Sequence, residues 1–222
     1  MEADLFSFDN RGTGCYQYLF NKLNASLNDF KQNRVGFISF NYDRSLEHFL
    51  FTSLQNTYNK SNDECAALLG QIPIIHVHGS LGKLQWQDSK GIPYGTLETY
   101  TLLNVFNSTM ALLASKQIKV IAEDQSTSEE FKLAFKLLSE AERIYFLGFA
   151  YHPTSMERLG VQKIKRGSLM YEGSRLMNSP LMGTCLGMEK AEISFVQEKW
   201  NMAIPDNMCD SLLFLRRYAN LD

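Results

Sequence analysis

Several apolar runs in this sequence end abruptly in residues that could hold a ligand. "VGFISF" (35–40) is followed by an amide and a carboxylate, Asn41 and Asp43. "IPIIHVHG" (72–79) ends in His78 and a glycine, and "RIYFLGFA" (143–150) ends in small residues. Glycine lets the backbone approach a ligand closely, and a helix start after such a turn can receive a phosphate. The candidate residues at these ends are Asn41, Tyr42, Asp43, His78, Gly79, Ser80, Gly148 and Ala150.

Each of these residues also has an ordinary structural explanation. Asp43 could cap the helix that follows it, and Asn41 could be a turn residue in a left-handed conformation. His76 and His78 would point to the same face of a strand, where a buried histidine is more often a hydrogen-bonded core residue than a catalyst. From the residues alone, both interpretations stay open.

A metal site is a further alternative at the same strand end. It would combine His76 and His78 with an acid at the end of the next run, Glu123 or Asp124. The cysteines argue against a zinc site or a disulfide framework, because they are widely scattered and form no C-x-x-C pair. We therefore expect no metal and rank a metal-dependent hydrolase below the other functions.

The apolar pattern predicts strands that alternate with helices. Short continuous runs rich in β-branched and aromatic residues are typical of strands buried in a parallel sheet. Alternation with helices indicates βαβ units and an open, doubly wound α/β sheet, and such sheets bind ligands at the carboxyl ends of their strands. Predicted strands are 35–40, 72–79, 118–123 and 143–150, and predicted helices are 16–30, 43 onward, 62–69, 96–114, 126–142 and 206–218.

Local signals refine one of these elements and predict one further helix and one loop. Ser126 with Glu129, or Thr127 with Glu130, predicts a capping box for the helix that follows. Pro153 predicts the first turn of another helix. The polar, glycine-rich segment 79–95 predicts a long loop after a strand end, and loops of this length are usually functional or mobile.

Composition excludes several classes of function. The formal net charge is −2 and the isoelectric point is near 6.1, so the chain lacks the electropositive surface that supplies non-specific affinity for nucleic acid. No 18-residue apolar run or secretory leader is evident, which predicts no membrane association. The scattered cysteines indicate free thiols in a reducing compartment, so we expect a cytoplasmic protein.

A length of 222 residues predicts one domain. We expect a helical lead-in (1–33), a sheet core (34–152) and a mostly helical C-terminal part (153–222).

Taken together, the strand-end motifs resemble the sirtuin superfamily, specifically the bacterial sirtuin-like domains of uncharacterised and defence-associated proteins. The sirtuin motif Thr-Gln-Asn-Ile-Asp is matched at Asn41 and Asp43, with Ser39 in the place of the threonine and Tyr42 as in the bacterial Asn-Tyr-Asp. His-Gly-Ser is matched at 78–80. The third motif, Gly-Thr-Ser or Gly-Phe-Ser, is matched in form at 148–150. "GTCLGMEKAE" (183–192) resembles a further bacterial segment, so the resemblance spans about 35–200.

The resemblance implies a Rossmann-like, NAD-binding domain that cleaves the bond between nicotinamide and ribose, with anti-phage defence as a setting. Asn41 would hold the ribose or the attacking water, Asp43 the nicotinamide amide, and His78 would be the general base. Ser39, Tyr42, Gly79, Ser80, Gly148 and Ala150 would bind the cofactor. Without the cysteines of the sirtuin zinc module, an NAD hydrolase is expected rather than a protein deacylase.

One family feature is missing from this sequence. Family members begin with a strand that leads into Gly-Ala-Gly-x-Ser, the loop that receives the pyrophosphate, and "NRGTGCYQYL" (10–19) follows no convincing strand. We therefore expect a Rossmann-like sheet truncated at its N-terminal βα unit. The exposed sheet edge would favour a homo-oligomer or a partner chain. The alternative function is a catalytically inactive sirtuin-like fold that acts as a binding or assembly module.

Overall fold

The structure, a computed structural model, combines helices with short pairs of parallel strands. This architecture confirms the α/β prediction at that level. The chain divides into two compact units, Met1–Gln125 and Ser126–Asp222. In the part of the chain described, no helix is both long enough and apolar enough to cross a membrane. The described residues are 13–23, 30–95, 112, 118, 128–164, 180–205 and 208–221.

In the first unit, two parallel strands are connected by a crossover that contains two helices. The two strands pair with Phe37 opposite Ile74 and Ser39 opposite His76. Parallel pairing requires a long connection between the strands, and two helices supply it here. The elements in chain order are α1 (Thr13–Leu23), β1 (Phe37–Ser39), α2 (Ser45–Tyr58), α3 (Asn62–Leu69) and β2 (Ile74–His76).

Local sequence explains where the crossover helices begin and end. A capping box starts α3: the Ser61 hydroxyl accepts from the backbone N–H of Glu64, whose carboxylate accepts from the N–H of Ser61. The prediction of a helix over 62–69 is therefore confirmed. Helix α2 begins two residues later than predicted, at Ser45, and ends at Asn59 in a left-handed conformation that asparagine tolerates.

The first unit has its own hydrophobic core, to which α1, α2 and α3 contribute. Full burial of each large apolar side chain contributes about 1.5–3 kcal/mol, so this cluster holds the helices against each other. Phe37 of β1 and Ile74 of β2 pack against it from the strands. Its buried members are Phe20, Leu23, Phe30, Phe49, Leu50, Phe51, Leu54, Cys65, Leu68, Leu69 and Ile72.

The second unit repeats the combination of parallel strands and helices. Ile144 lies opposite Leu181 and Phe146 opposite Gly183 in its strand pair. Pro153 occupies the first turn of a helix, as predicted. The elements in chain order are α4 (Glu129–Glu140), β3 (Ile144–Phe146), α5 (Pro153–Arg158), a 3-10 turn (Val161–Lys163), β4 (Leu181–Gly183), α6 (Lys190–Trp200) and α7 (Ser211–Arg217).

The start of α4 differs from the sequence prediction, and the C-terminal part contains a strand that no apolar run predicted. The N-cap of α4 is Ser128, whose hydroxyl accepts from the N–H of Phe131 at 3.4 Å, so the capping box predicted at residue 126 or 127 is wrong. Strand β4 lies within 153–222, the part predicted to be mostly helical. Its three residues are too few to show a strand period in the sequence.

Some predicted elements fall on residues that the structure does not describe. The predicted helix 96–114 and strand 118–123 lie almost wholly outside the described residues. Ile118 is described, and it forms an isolated antiparallel bridge with Gly79. The last predicted helix, 206–218, corresponds to α7, which starts later because Asp210 is its N-cap and accepts from the N–H of Leu213 at 2.8 Å.

Candidate functional site

The polar segments that follow β1 and β2 lie side by side in the first unit. The strands are parallel and in register up to Ser39 and His76, so their carboxyl ends meet at one edge. Beyond the strands, the backbone N–H of Leu81 donates to the carbonyl of Tyr42 at 2.9 Å. The Asn-Tyr-Asp segment is therefore joined by a backbone hydrogen bond to the residue that follows the His-Gly-Ser segment.

Side chains of the first motif shape its own turn. The Ser39 hydroxyl accepts from the N–H of Asn41 at 3.1 Å, and an Asp43 carboxylate oxygen accepts from the N–H of Ser45 at 3.1 Å. Hydroxyl and carboxylate groups commonly bond the backbone two residues ahead in this way. Asp43 thus satisfies a free N–H at the start of α2, while Asn41, whose φ is not positive, exposes its side chain.

His76 bridges this turn to helix α2. Its Nδ1 lies 2.7 Å from the carbonyl oxygen of Asn41, and its Nε2 lies 2.6 Å from an oxygen of the Glu47 carboxylate. Both side chains are largely buried, with exposed fractions of 10% for His76 and 6% for Glu47. A buried carboxylate needs such a partner. Glu47, which lies four positions after Asp43 of the predicted motif, therefore belongs to the same cluster.

The electrostatics of this cluster favour a protonated His76. Burial by itself disfavours the charged imidazole and lowers its pKa. The hydrogen bond with Glu47 and the charge of that carboxylate act in the opposite direction, with smaller contributions from the Asn41 carbonyl and Asp43. Their sum exceeds the effect of burial, so the pKa of His76 lies above the usual value for histidine.

His78, the predicted general base, is buried at 6% exposure. Its ring packs edge-on against Phe40, with 5.4 Å between the ring centres. Gly79 turns the chain immediately after it, with a φ of 80° that favours glycine, and its N–H donates to the carbonyl of His76. Ser80 follows and is half-buried.

The predicted loop 79–95 is anchored on the first turns of α2. The buried Arg44 guanidinium donates to the carbonyl oxygens of Ile92 and Pro93 at 2.7 and 3.3 Å. Tyr94 contacts the Ser45 hydroxyl at 2.9 Å and, in addition, stacks on the ring of His48 with 4.0 Å between ring centres. The loop is therefore held next to the residues that follow β1.

Tyr16 of α1 also belongs to this environment. Burial raises the pKa of its hydroxyl, and the negative charges of Asp43 and Glu47 raise it further. Tyr16 therefore stays protonated at physiological pH. Its ring packs against Phe49 of α2, with 5.8 Å between ring centres.

In the second unit, the end of β3 is fixed by a threonine at the end of β4. The Thr184 hydroxyl accepts from the N–H of Gly148 at 2.8 Å. Its carbonyl accepts from the buried Tyr151 hydroxyl at 2.6 Å. Gly148 has a φ of 60°, which favours glycine. The role of Gly148 and Ala150 against a dinucleotide stays a prediction.

The sequence prediction missed Glu47, Tyr16 and Thr184. A signal for Glu47 existed, because it lies three and seven positions before Leu50 and Leu54 and so shares the apolar face of α2. Thr184 lies in the segment 183–192 that the resemblance included, without a role being assigned to it. Nothing in the local sequence distinguishes Tyr16, whose neighbours are set by the packing of α1.

The described residues contain no group of three or more histidine, cysteine, aspartate or glutamate side chains placed to hold a metal ion. Glu123 and Asp124, the acids of the alternative metal site, lie outside them. His76 is engaged by Glu47 and the Asn41 carbonyl. Both ring nitrogens of His76 are therefore used in hydrogen bonds within the protein, and neither is left to bind a metal ion.

Comparisons with models of protein families, with curated proteins and with solved structures found no match to this chain.

Proposed function

We propose that this chain is a sirtuin-like, Rossmann-like NAD-binding protein that hydrolyses the bond between nicotinamide and ribose. The observation that supports this proposal best is the 2.7 Å hydrogen bond from the His76 ring to the Asn41 carbonyl. It joins Asn41 of the first motif to the last residue of β2, two positions before His78 of the second motif, at the carboxyl ends of parallel strands. Ligands bind at such ends in open α/β sheets.

The proposed reaction breaks one bond and forms one bond at the ribose. The bond from C1′ to the nicotinamide nitrogen breaks with its electron pair leaving on nicotinamide, and water adds to C1′ and loses a proton. The products are nicotinamide, ADP-ribose and a proton. The ribose carries positive charge in the transition state, so oxygens aimed at it accelerate the reaction.

Each proposed residue has a distinct task. The exposed Asn41 amide holds the ribose or the attacking water, and Asp43 holds the nicotinamide amide. His78 accepts the proton, as a histidine near neutrality can. All four cysteines are free thiols, which supports a reducing, cytoplasmic setting for this activity.

Nicotinamide release from NAD tests the proposal. The purified chain is incubated with NAD, and nicotinamide is quantified by chromatography for the wild type, Asn41→Ala and His78→Ala. We expect release by the wild type and a loss of about 100-fold or more in each variant. Asn21→Ala changes an exposed residue of α1 and serves as a matched control that keeps the wild-type rate. Absence of release from the wild type at high protein concentration would contradict the proposal.

A second candidate function is a binding or assembly module without catalysis. Two observations favour it: Asp43 bonds the backbone of Ser45, and His78 is buried against Phe40, so both have structural roles. Calorimetric titration with NAD, together with light scattering to measure mass, separates the two functions. Binding or self-association without nicotinamide release identifies a module, whereas release identifies an enzyme.

A further inference from the structure

The His76 ring is held between two hydrogen-bond acceptors from different segments. Nδ1 lies 2.7 Å from the carbonyl oxygen of Asn41, and Nε2 lies 2.6 Å from the carboxylate of Glu47. A carbonyl oxygen has no proton to give, so Nδ1 must carry the hydrogen and donate it. The tautomer of His76 is therefore determined by its contact with Asn41.

The other ring nitrogen donates to the Glu47 carboxylate when the ring is protonated. Nδ1 and Nε2 then both carry hydrogens, and the imidazolium lies beside the carboxylate as a pair with no net charge. The attraction between the two opposite charges offsets part of the desolvation cost of burying a histidine and a glutamate at 10% and 6% exposure.

The Glu47 side chain makes no other hydrogen bond among the described residues. Its second carboxylate oxygen is buried and lacks a hydrogen-bond partner in this part of the chain. Buried polar atoms without partners are uncommon in folded proteins. Burial of this unpaired oxygen costs free energy of folding, and the one hydrogen bond described for the Glu47 side chain is made with His76.

The chain of contacts ends at the residue proposed to meet the substrate. Asn41 is held on both sides: its N–H donates to the Ser39 hydroxyl at 3.1 Å, and its carbonyl accepts from His76 at 2.7 Å and, at a longer 3.3 Å, from the Ser39 hydroxyl. Its side chain is exposed. We propose that Glu47 and His76 are positioning residues that hold the Asn41 backbone so that its amide side chain is oriented toward the ribose; this role rests on the proposed NAD hydrolase function.

Kinetics of three variants test the positioning role. His76→Phe keeps an aromatic ring and removes both hydrogen bonds, and Glu47→Leu removes the carboxylate. We expect each to lower kcat about tenfold to 100-fold, the cost of a misplaced catalytic group, with a smaller change in KM. Glu47→Gln can still donate its amide to Nε2 while Nδ1–H donates to Asn41, so it should stay within about threefold of the wild type. Glu198→Gln, an exposed position on α6, is the matched control.

NMR on the chain provides a readout that does not depend on activity. The nitrogen shifts of the His76 ring report whether Nδ1 carries a proton, and the carbonyl carbon shift of Asn41 reports the hydrogen bond that it accepts. We expect a protonated Nδ1 in the wild type and a moved Asn41 carbonyl resonance in His76→Phe. An unprotonated Nδ1, or an Asn41 resonance that does not move, overturns the positioning role whether or not the chain hydrolyses NAD.

The two proposals fail in different ways. If Asn41→Ala abolishes nicotinamide release while His76→Phe keeps the wild-type kcat, the positioning role is wrong and the hydrolase proposal stands. If the wild type releases nothing, the hydrolase proposal is wrong and the role of His76 and Glu47 toward a substrate falls with it. The NMR measurement then decides whether the pair holds the Asn41 backbone at all.

Discussion

His76 and Glu47 form a buried, hydrogen-bonded pair with 2.6 Å between Nε2 and the carboxylate, although 29 positions separate them in the sequence. One residue ends β2 and the other lies in the first turn of α2. The pair therefore links a strand end to a helix start beside the predicted Asn-Tyr-Asp motif. The protonation of His76 in this pair affects how the stability of the chain depends on pH.

The pH dependence of stability should report this pair. The pKa of His76 is higher in the folded chain than the usual value of about 6.5, so above that value the folded state binds more protons than the unfolded state. The stabilisation is complete below pH ~6.5 and is lost as the pH rises through the folded pKa. Urea unfolding from pH ~6.5 upward should show a decreasing wild-type advantage over the double variant Glu47→Leu with His76→Phe, which leaves no unpaired buried carboxylate. A difference that grows with pH would refute this assignment.

Thr184 should protect the backbone of Gly148. Thr184→Val removes the hydroxyl that accepts from the Gly148 N–H at 2.8 Å, and an unpaired, partly buried N–H costs about 1–3 kcal/mol. We expect faster hydrogen exchange at Gly148 and a lower free energy of unfolding of the second unit. Thr184→Ser keeps the acceptor and is the control. Equal exchange in the valine and serine variants would show that the hydroxyl does not hold this turn.

Gly183 should be intolerant of a side chain. A β-carbon at this position would overlap the hydroxyl of Tyr151, which is fixed by its hydrogen bond to the Thr184 carbonyl. Gly183→Ala should therefore destabilise the second unit by about 1–3 kcal/mol, as overpacking does. Gly187→Ala is a matched comparison, because its surroundings are open and its cost comes from a φ of 84°, about 1–2 kcal/mol. The repair variant Tyr151→Phe, made together with Gly183→Ala, should recover part of the loss.

Arg44 should hold the loop 79–95 on α2. Arg44→Met keeps much of the side-chain volume and removes the donors to the Ile92 and Pro93 carbonyls. The loop should then be cleaved faster by a protease of broad specificity, and the free energy of unfolding should fall by about 1–3 kcal/mol. Lys90→Met changes an exposed residue of the same loop and should leave cleavage unchanged. Equal cleavage of both variants would mean that the loop is held by other contacts.

Much of the local structure follows from the sequence alone. The runs 35–40, 72–79 and 143–150 contain β1, β2 and β3, and the helix over 62–69 was predicted to the residue. These elements are set by apolar periodicity and by end signals that act over three or four residues, such as the Ser61 capping box. The runs therefore located the strands, which end one to four residues before the runs do, and with them the candidate motifs.

The tertiary structure decided which of those residues meet. Glu47 pairs with His76, Leu81 bonds Tyr42 across the strand ends, and Thr184 bonds Gly148 across 36 positions. None of these contacts leaves a period or a spacing in the sequence, because each depends on the path of the chain between distant segments and on the burial that this path creates. The sequence determined which polar groups stand at strand ends, while packing decided that His76, rather than His78, joins Asn41 to a buried carboxylate.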